Sequence, residues 1–511
     1  MKTHSPVYIS PIMPSITSLE EYFSTFRANI IGQEQGFESA FGYKKIIYAD
    51  WTATGRAYRP IEEYIQDKIL PFLANTHTET TVTGKYMSCA YEEAREIIKE
   101  HVHANSSDIL ILCGSGMTAA VNKLQRILGL RIPERVRDYF GKDCLKMDEE
   151  LRPIVFVTHM EHHSNQISWL ETIATVEIIQ PDENGEVDLG HFKMLLSQYK
   201  NRKIKIAAVT ACSNVTGVET PYYEIARLIH EYNGWCFVDF ACSAPYAEVN
   251  MHPKKNGADL DAIYFSTHKF LGGPGTPGML ILNRKIYKNK IPDQPGGGTV
   301  VYSNPWKVHE YIHNIEQRED GGTPAFLQAI KAAMCLRLKK QMGTENIRKR
   351  EEEILDVIFS RFSKMNNVHV LAGNIKKRLG VVSFTIEGAH YALIVKILND
   401  RFGIQTRGGC SCAGTYGHML LQVSKERSCD ILDKIRAGNL SHKPGWVRLS
   451  IHPTMSEHEI DFIMNSIEET ADHFQEWAKD YSYNAVSNEF VFNGREWQPF
   501  TGFLSLGNFP L

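Results

Sequence analysis

The 511-residue sequence predicts an α/β protein: a large domain with a mainly parallel sheet, followed by a smaller α+β C-terminal domain. Three observations predict it. From about residue 105 to 285, short apolar runs alternate with helix-period segments. The runs are apolar at nearly every position rather than at alternate ones, the mark of strands covered on both faces. After the glycine-rich PGGGT at 295–299 the alternation gives way to a long helical stretch and then to short strands mixed with helices.

In order, DILILC (108–113) leads into the helical TAAVNKLQRILGL, and PIVFVTH (153–159) follows. KIAAVTAC (205–212) precedes YYEIARLIHEYN, and WCFVDF, AIYFST and GMLILN complete the large domain. One long helix is expected from Pro324 to about Met365, and VVSFTIE and WVRLSIH alternate with ALIVKILNDRF and EHEIDFIMNSIEETADHF in the small domain. The expected division is 1–45 as an N-terminal segment packing on the small domain, 46–310 as the large domain, 311–480 as the small domain and 481–511 as a tail. A charged stretch at about 130–153 reads as a surface insertion, and the aromatic, Asn- and Gly-containing tail suits wrapping a neighbour.

Hydrophobic residues at 43% and charged residues at 23% exclude a disordered chain. With 56 Lys and Arg against 59 Asp and Glu, there is no electrostatic footprint for nucleic acid. No apolar run is long enough to span a membrane, the N-terminus lacks a signal-peptide core, and the expected location is cytoplasmic. Ten cysteines scattered mostly through strand-like runs favour reduced thiols over a disulfide framework.

The most specific segment is DAIYFSTHKFLGGPG. A strand ends in Ser266, Thr267, His268 and Lys269, and a glycine-rich turn follows. A strand-end lysine beside residues too small to obstruct a planar ring suits a Schiff-base lysine for pyridoxal phosphate, with Ser266 and His268 as phosphate donors. A lone His-Lys pair more often marks a surface turn. Asp239, ending the apolar WCFVDF strand, needs a positive partner to be buried, and a protonated pyridine nitrogen supplies one. Adjacent His162 and His163, after another apolar strand, suit ring stacking or metal ligation equally, although no metal-ligand spacing accompanies them and, taken alone, a plain structural role outranks both.

Taken together, EHHSN, CSNVTG, VDFACSAP, FSTHKFLGGPG, GGTP, RGGCSCAG and WVRLS stand in the order found in class V aminotransferase-fold enzymes. The chain resembles, over about residues 45–470, the group II (SufS/CsdA-type) cysteine desulfurases and selenocysteine lyases, which implies the fold-type I architecture with a mainly parallel seven-stranded-type sheet in the large domain. That resemblance implies pyridoxal 5'-phosphate on Lys269, Asp239 at the ring nitrogen, His162 stacked on the ring, and Asn214 near the ring hydroxyl or substrate. It implies a phosphate cradle of Gly116, Met117 and Thr118, completed by Ser266 and His268 and by Thr323 lent across a homodimer. Arg448 would hold the substrate carboxylate, with Asn75, His77 and Arg407 nearby, and Cys412 would take sulfur or selenium from L-cysteine or L-selenocysteine as a persulfide for an acceptor protein or thiol. No metal is implied. Cys242, Ala211, Met117 and the Cys410-Ser411 pair depart from the family pattern. They keep open a transaminating, epimerising or C–S-cleaving enzyme in which Cys412 is not catalytic.

Overall fold

The computed structural model describes residues 18–76, 80–141 and 147–494. Seven strands form the central sheet: β1 (Asp108–Cys113), β2 (Ile154–Thr158), β3 (Thr175–Ile179), β4 (Lys205–Thr210), β5 (Trp235–Asp239), β6 (Ala262–Ser266) and β7 (Gly278–Asn283). Their order is β1-β7-β6-β5-β4-β2-β3. All neighbours run parallel except β7, which is antiparallel to both β6 and β1. Every residue of β2, β4 and β6 is buried, so the unbroken apolar runs follow from helices on both faces. Those helices include α1 (Val82–His101), α2 (Met117–Ile127), α3 (His163–Leu170), α4 (Leu189–Gln198) and α5 (Tyr222–His230).

The single long helix expected from 324 to 365 is two helices, α6 (Phe326–Met342) and α7 (Thr344–Phe362). They meet at Gly343, whose φ of +75° lies where an L side chain is strained and a helix cannot continue. Apolar Phe326, Ala329, Ile330 and Ala333 of α6 pack against Met87, Tyr91 and Ala94 of α1, which ties that helix to the large sheet.

A four-stranded antiparallel sheet follows, with β8 (Val368–Val370), β9 (Val381–Ile386), β10 (Arg407–Gly409) and β11 (Trp446–Ser450) in the order β8-β9-β11-β10. Helices α8 (Tyr391–Phe402) and α9 (Glu457–Trp477) pack with it, and α9 begins at a reciprocal Ser456/Glu459 capping box. Near the N-terminus, Ile47–Tyr48 pairs parallel with Ile404–Gln405, and Gln33 donates to Glu459 at 2.9 Å. In the segment read as a tail, residues 481–494 contain a hairpin, β12 (Tyr481–Asn484) and β13 (Glu489–Phe492). It folds back on its own chain, with Asn488 donating to the Tyr391 hydroxyl at 2.5 Å. The rest of that tail lies outside the described residues.

Candidate active site

Asp239, Ser266, Thr158 and Thr210 all end parallel strands, and the loops beyond them open at one edge of the sheet, where such folds bind ligands. A cavity of about 230 Å³ lies there, bounded on its far side by the 407–412 segment and by Arg448 of the four-stranded sheet.

Lys269 follows β6 through one tight turn, and burial lowers its ammonium pKa, opposed by the charges of Cys242 and Asp239. Asp239 sits on the neighbouring strand, accepts the Ala241 N–H at 2.8 Å, and is pushed up to about 6 by burial. An aspartate held in this way suits a buried cation as its counter-charge. His162 is held neutral, its pKa lowered to about 3 first by burial and then by Lys269. Its Nδ1 accepts the Ser164 N–H at 3.1 Å and caps α3, which fixes the ring at the cavity edge.

Behind His162, buried Glu161 is pushed up to about 7 by burial and gathers three elements. It accepts from the Thr158 hydroxyl at 2.6 Å, the Thr210 N–H at 2.9 Å and Asn165 at 2.7 Å, tying β2, β4 and α3 together.

The N-terminus of α2 has an open aspect. Its cap residue Gly116 has no side chain to satisfy the first N–H groups. The Met117 N–H donates to Ser266 Oγ at 2.9 Å, and Thr118 Oγ1 pairs with Ser164 Oγ at 2.7 Å. A Cβ at Gly116 would come within 2.8 Å of Ser266 Oγ and 3.6 Å of the His268 ring, filling the space between them. A phosphate fits such a site by charge and by donor geometry. Burial lowers His268 to about 4, so in the absence of a ligand it adds no charge.

On the side of the four-stranded sheet, Arg448 donates to Asp50 Oδ1 at 2.6 Å and to the Asn214 carbonyl at 3.1 Å, while Arg407 donates to Asp50 Oδ2 at 3.0 Å. Asp50 was not singled out from the sequence. The signal was an acid between Ala49 and Trp51 in an otherwise apolar, aromatic stretch. Asn214 donates to the Ser411 carbonyl at 2.6 Å, and its buried Oδ1 has no partner. The cysteine loop is held from two sides. His163 donates its N–H to the Cys412 carbonyl at 2.7 Å and accepts the Gly414 N–H at its Nε2 at 2.8 Å. Ser411 and Cys412 both have positive φ, +49° and +57°, and the Cys412 side is exposed to solvent while lining the cavity.

The structure brings Lys269, Asp239, His162, Asn214, Met117, Thr118, Ser266, His268, Arg407, Arg448 and Cys412 around one cavity, with Gly116 at its rim. Cys242 lines it as well, and Ala211 is buried and does not line it. Asn75 and Thr323 are exposed and do not line it within one chain. His77 lies outside the described residues.

The family model for aminotransferase class-V matches residues 47–463. Similar proteins include a probable cysteine desulfurase of Halalkalibacterium halodurans, 29% identical and covering 72% of this chain and 84% of that protein. A cysteine desulfurase of Haloferax volcanii is 26% identical, covering 72% and 80%. Among solved structures, an apo cysteine desulfurase of Thermococcus onnurineus superposes with a TM-score of 0.69 at 23% identity, over 88% of this chain and 98% of that one. The cysteine desulfurase CsdA of Escherichia coli, in S-sulfonic acid form, does so at 0.66 and 19%, with the same coverage. At these identities the structural likeness speaks to the fold. The family match spans both sheets and every cavity-lining residue from Thr52 to Arg448, and the chain belongs to the aminotransferase class-V family.

Proposed function

We propose that the protein is a pyridoxal 5'-phosphate-dependent cysteine desulfurase or selenocysteine lyase, converting L-cysteine or L-selenocysteine to L-alanine with a persulfide, or its selenium counterpart, on Cys412. The observation that carries the reading is that an exposed cysteine shares one cavity with a half-buried lysine and a buried aspartate. The names of the similar proteins support it. When bound, pyridoxal phosphate supplies an electron sink for the carbanion formed at the substrate α-carbon.

The protein's own groups supply the rest. Gly116, Met117, Thr118, Ser266 and His268 would hold the phosphate, and Asp239 would keep a proton on the ring nitrogen. His162, being neutral, can lie over a ring without repelling its positive charge. Arg448, steadied by Asp50, takes the substrate carboxylate, and its buried Nε without a partner is available for it. Lys269, its amine made less basic by burial, accepts the α-proton. The Cys412 thiolate attacks the substrate sulfur. The new S–S bond forms as the C–S bond breaks, and the carbon skeleton leaves as alanine after taking up protons.

The shared-site homodimer, with Thr323 reaching the partner's phosphate, belongs to the same proposal. Among the described residues no helix is long and apolar enough to cross a membrane, and the free thiols suit a reducing compartment such as the cytoplasm.

The test is to give purified, cofactor-loaded protein L-cysteine with a reducing thiol and to measure alanine from wild type and Cys412→Ala. Alanine that disappears in the variant supports the reading. Undiminished turnover of an amino acid by Cys412→Ala would instead identify an aminotransferase, epimerase or C–S lyase.

A further inference from the structure

Lys339 lies on the buried stripe of α6, beside Cys335, Leu336 and Met342, and is only 3% exposed. Among the described residues its ammonium forms no ion pair. It donates to the Ala244 carbonyl at 2.7 Å and to the Ala247 carbonyl at 2.5 Å, and it lies 3.4 Å from Nε2 of His101, the last residue of α1. Burial, then the charge of Lys339, holds His101 well below the usual histidine range, so its ring is neutral and that nitrogen can accept. Three N–H groups thus meet three neutral acceptors. Glu248, the carboxylate whose charge reaches Lys339, is exposed and paired with His103 at 3.1 Å. A cation buried without a counter-ion costs more free energy than an apolar side chain of the same length. Packing alone does not account for it.

The groups it holds lie directly behind the cavity. Ala244 and Ala247 belong to the turn that leaves β5, in which the Ala244 N–H donates to the Phe240 carbonyl and the Ala247 N–H to the Ser243 carbonyl, both at 2.8 Å. Asp239, Ala241 and Cys242 open the same turn and line the cavity, and the Ala241 N–H holds the Asp239 carboxylate. The ammonium also stands over the Phe270 ring, 5.8 Å from its centroid, and Phe270 follows Lys269 directly. Lys339 itself does not line the cavity. A single charge on α6 therefore grips the segment carrying Asp239 and the segment carrying Lys269.

We propose, resting on the cofactor assignment above, that Lys339 is a positioning residue for the reaction: its ammonium pins the 240–247 turn and the Phe270 ring to α6, and so fixes where the Asp239 carboxylate stands relative to the Lys269 amine. The role depends on charge and donors rather than on bulk, because hydrogen bonds from a cation and the attraction to a ring face both vanish in an apolar side chain of equal length.

The experiment compares full-length wild type, Lys339→Met and Lys339→Arg at about pH 6, below the value of about 7 to which burial lowers Lys339, so that the ammonium is charged. Four quantities are measured: the thermal midpoint of the apoprotein, its affinity for pyridoxal phosphate, the circular dichroism induced in the bound cofactor's visible band, and kcat and KM for alanine formation. Lys339→Met should bind the cofactor about tenfold more weakly, lose at least half of the induced signal, and show kcat lowered about tenfold with KM within about twofold of wild type. Lys339→Arg should recover most of each, whatever its thermal midpoint. Should Lys339→Met fail to fold, Lys339→Gln, which keeps N–H donors without the charge, takes its place with the same expected losses. Cofactor affinity, induced signal and kcat unchanged in the uncharged variant would overturn the proposal, as would losses that follow the thermal midpoint alike in the charged and uncharged variants. Wild type that binds the cofactor but forms no alanine would sink the desulfurase reading and leave the affinity and dichroism arms to decide on Lys339. Wild type that binds no cofactor would remove both.

Discussion

Asp50 engages two guanidinium groups, Arg448 at 2.6 Å and Arg407 at 3.0 Å, and thereby sets the angle at which Arg448 faces the cavity. Asp50→Asn keeps the shape and removes the charge, so KM for the amino acid should rise by about tenfold, the loss of a charge-assisted bond, with a smaller change in kcat. Steady-state kinetics checks it. A second residue-scale effect concerns His452, buried and stacked on Trp51 at 4.0 Å between ring centroids, its pKa lowered from 6.5 to about 3 by burial. Between those values the unfolded chain takes a proton that the folded chain refuses. Stability is therefore full above pH 6.5 and drains away as pH falls. Between pH 7 and pH 5 the wild-type apoprotein should lose about 2 kcal/mol more than His452→Phe, as read from urea unfolding. Lys269 and Asp239 were legible in the sequence because a charged residue at the end of an apolar strand needs a reason. Asp50 was not, because its two partners lie about four hundred residues away in sequence and no local pattern announces them.

Among the elements, the loop after β4 links the large sheet to the segment leading into β9. Leu379 donates its N–H to the Gly217 carbonyl at 2.9 Å, Arg378 to the Thr216 carbonyl at 2.9 Å, and Ser383 to the Val215 carbonyl at 2.6 Å. Gly217 has φ of +74°, and a Cβ there would stand 2.4 Å from the Leu379 carbonyl. Gly217→Ala should cost about 2 kcal/mol or more, measured by chemical denaturation, and should loosen Asn214 only three residues away. The strands of the large sheet were readable because burial on both faces writes an uninterrupted apolar signature. The break in the long helix was less so: Gly343 in QMGTEN looks like an ordinary helix glycine until its positive φ is known. The hairpin at 481–494 escaped because a short, two-stranded element carries little periodicity, and its pairing depends on Tyr391 and Phe41, far earlier in the chain.

At the scale of the whole molecule, the exposed Thr323 bears on the proposed homodimer. If it completes the partner's site, Lys269→Ala and Thr323→Ala, each impaired alone, should rescue one another when unfolded and refolded together. Half of the resulting dimers would be mixed and each of those would hold one intact site, restoring roughly a quarter of wild-type activity. No rescue above the sum of the parents would place each site within one chain. The order of the large sheet bears on how the protein is made. β7 is inserted between β1 and β6, so the strand leading to the Gly116–Thr118 turn is joined to the strand bearing Lys269 only when residues 278–283 have left the ribosome. A nascent chain halted before that point lacks the strand that pairs with both, and is left with side contacts such as the Met117 to Ser266 hydrogen bond. Under the proposed function, retention of the phosphate-bearing group would then follow completion of the large sheet, and a stalled chain ending before residue 278 should not hold it.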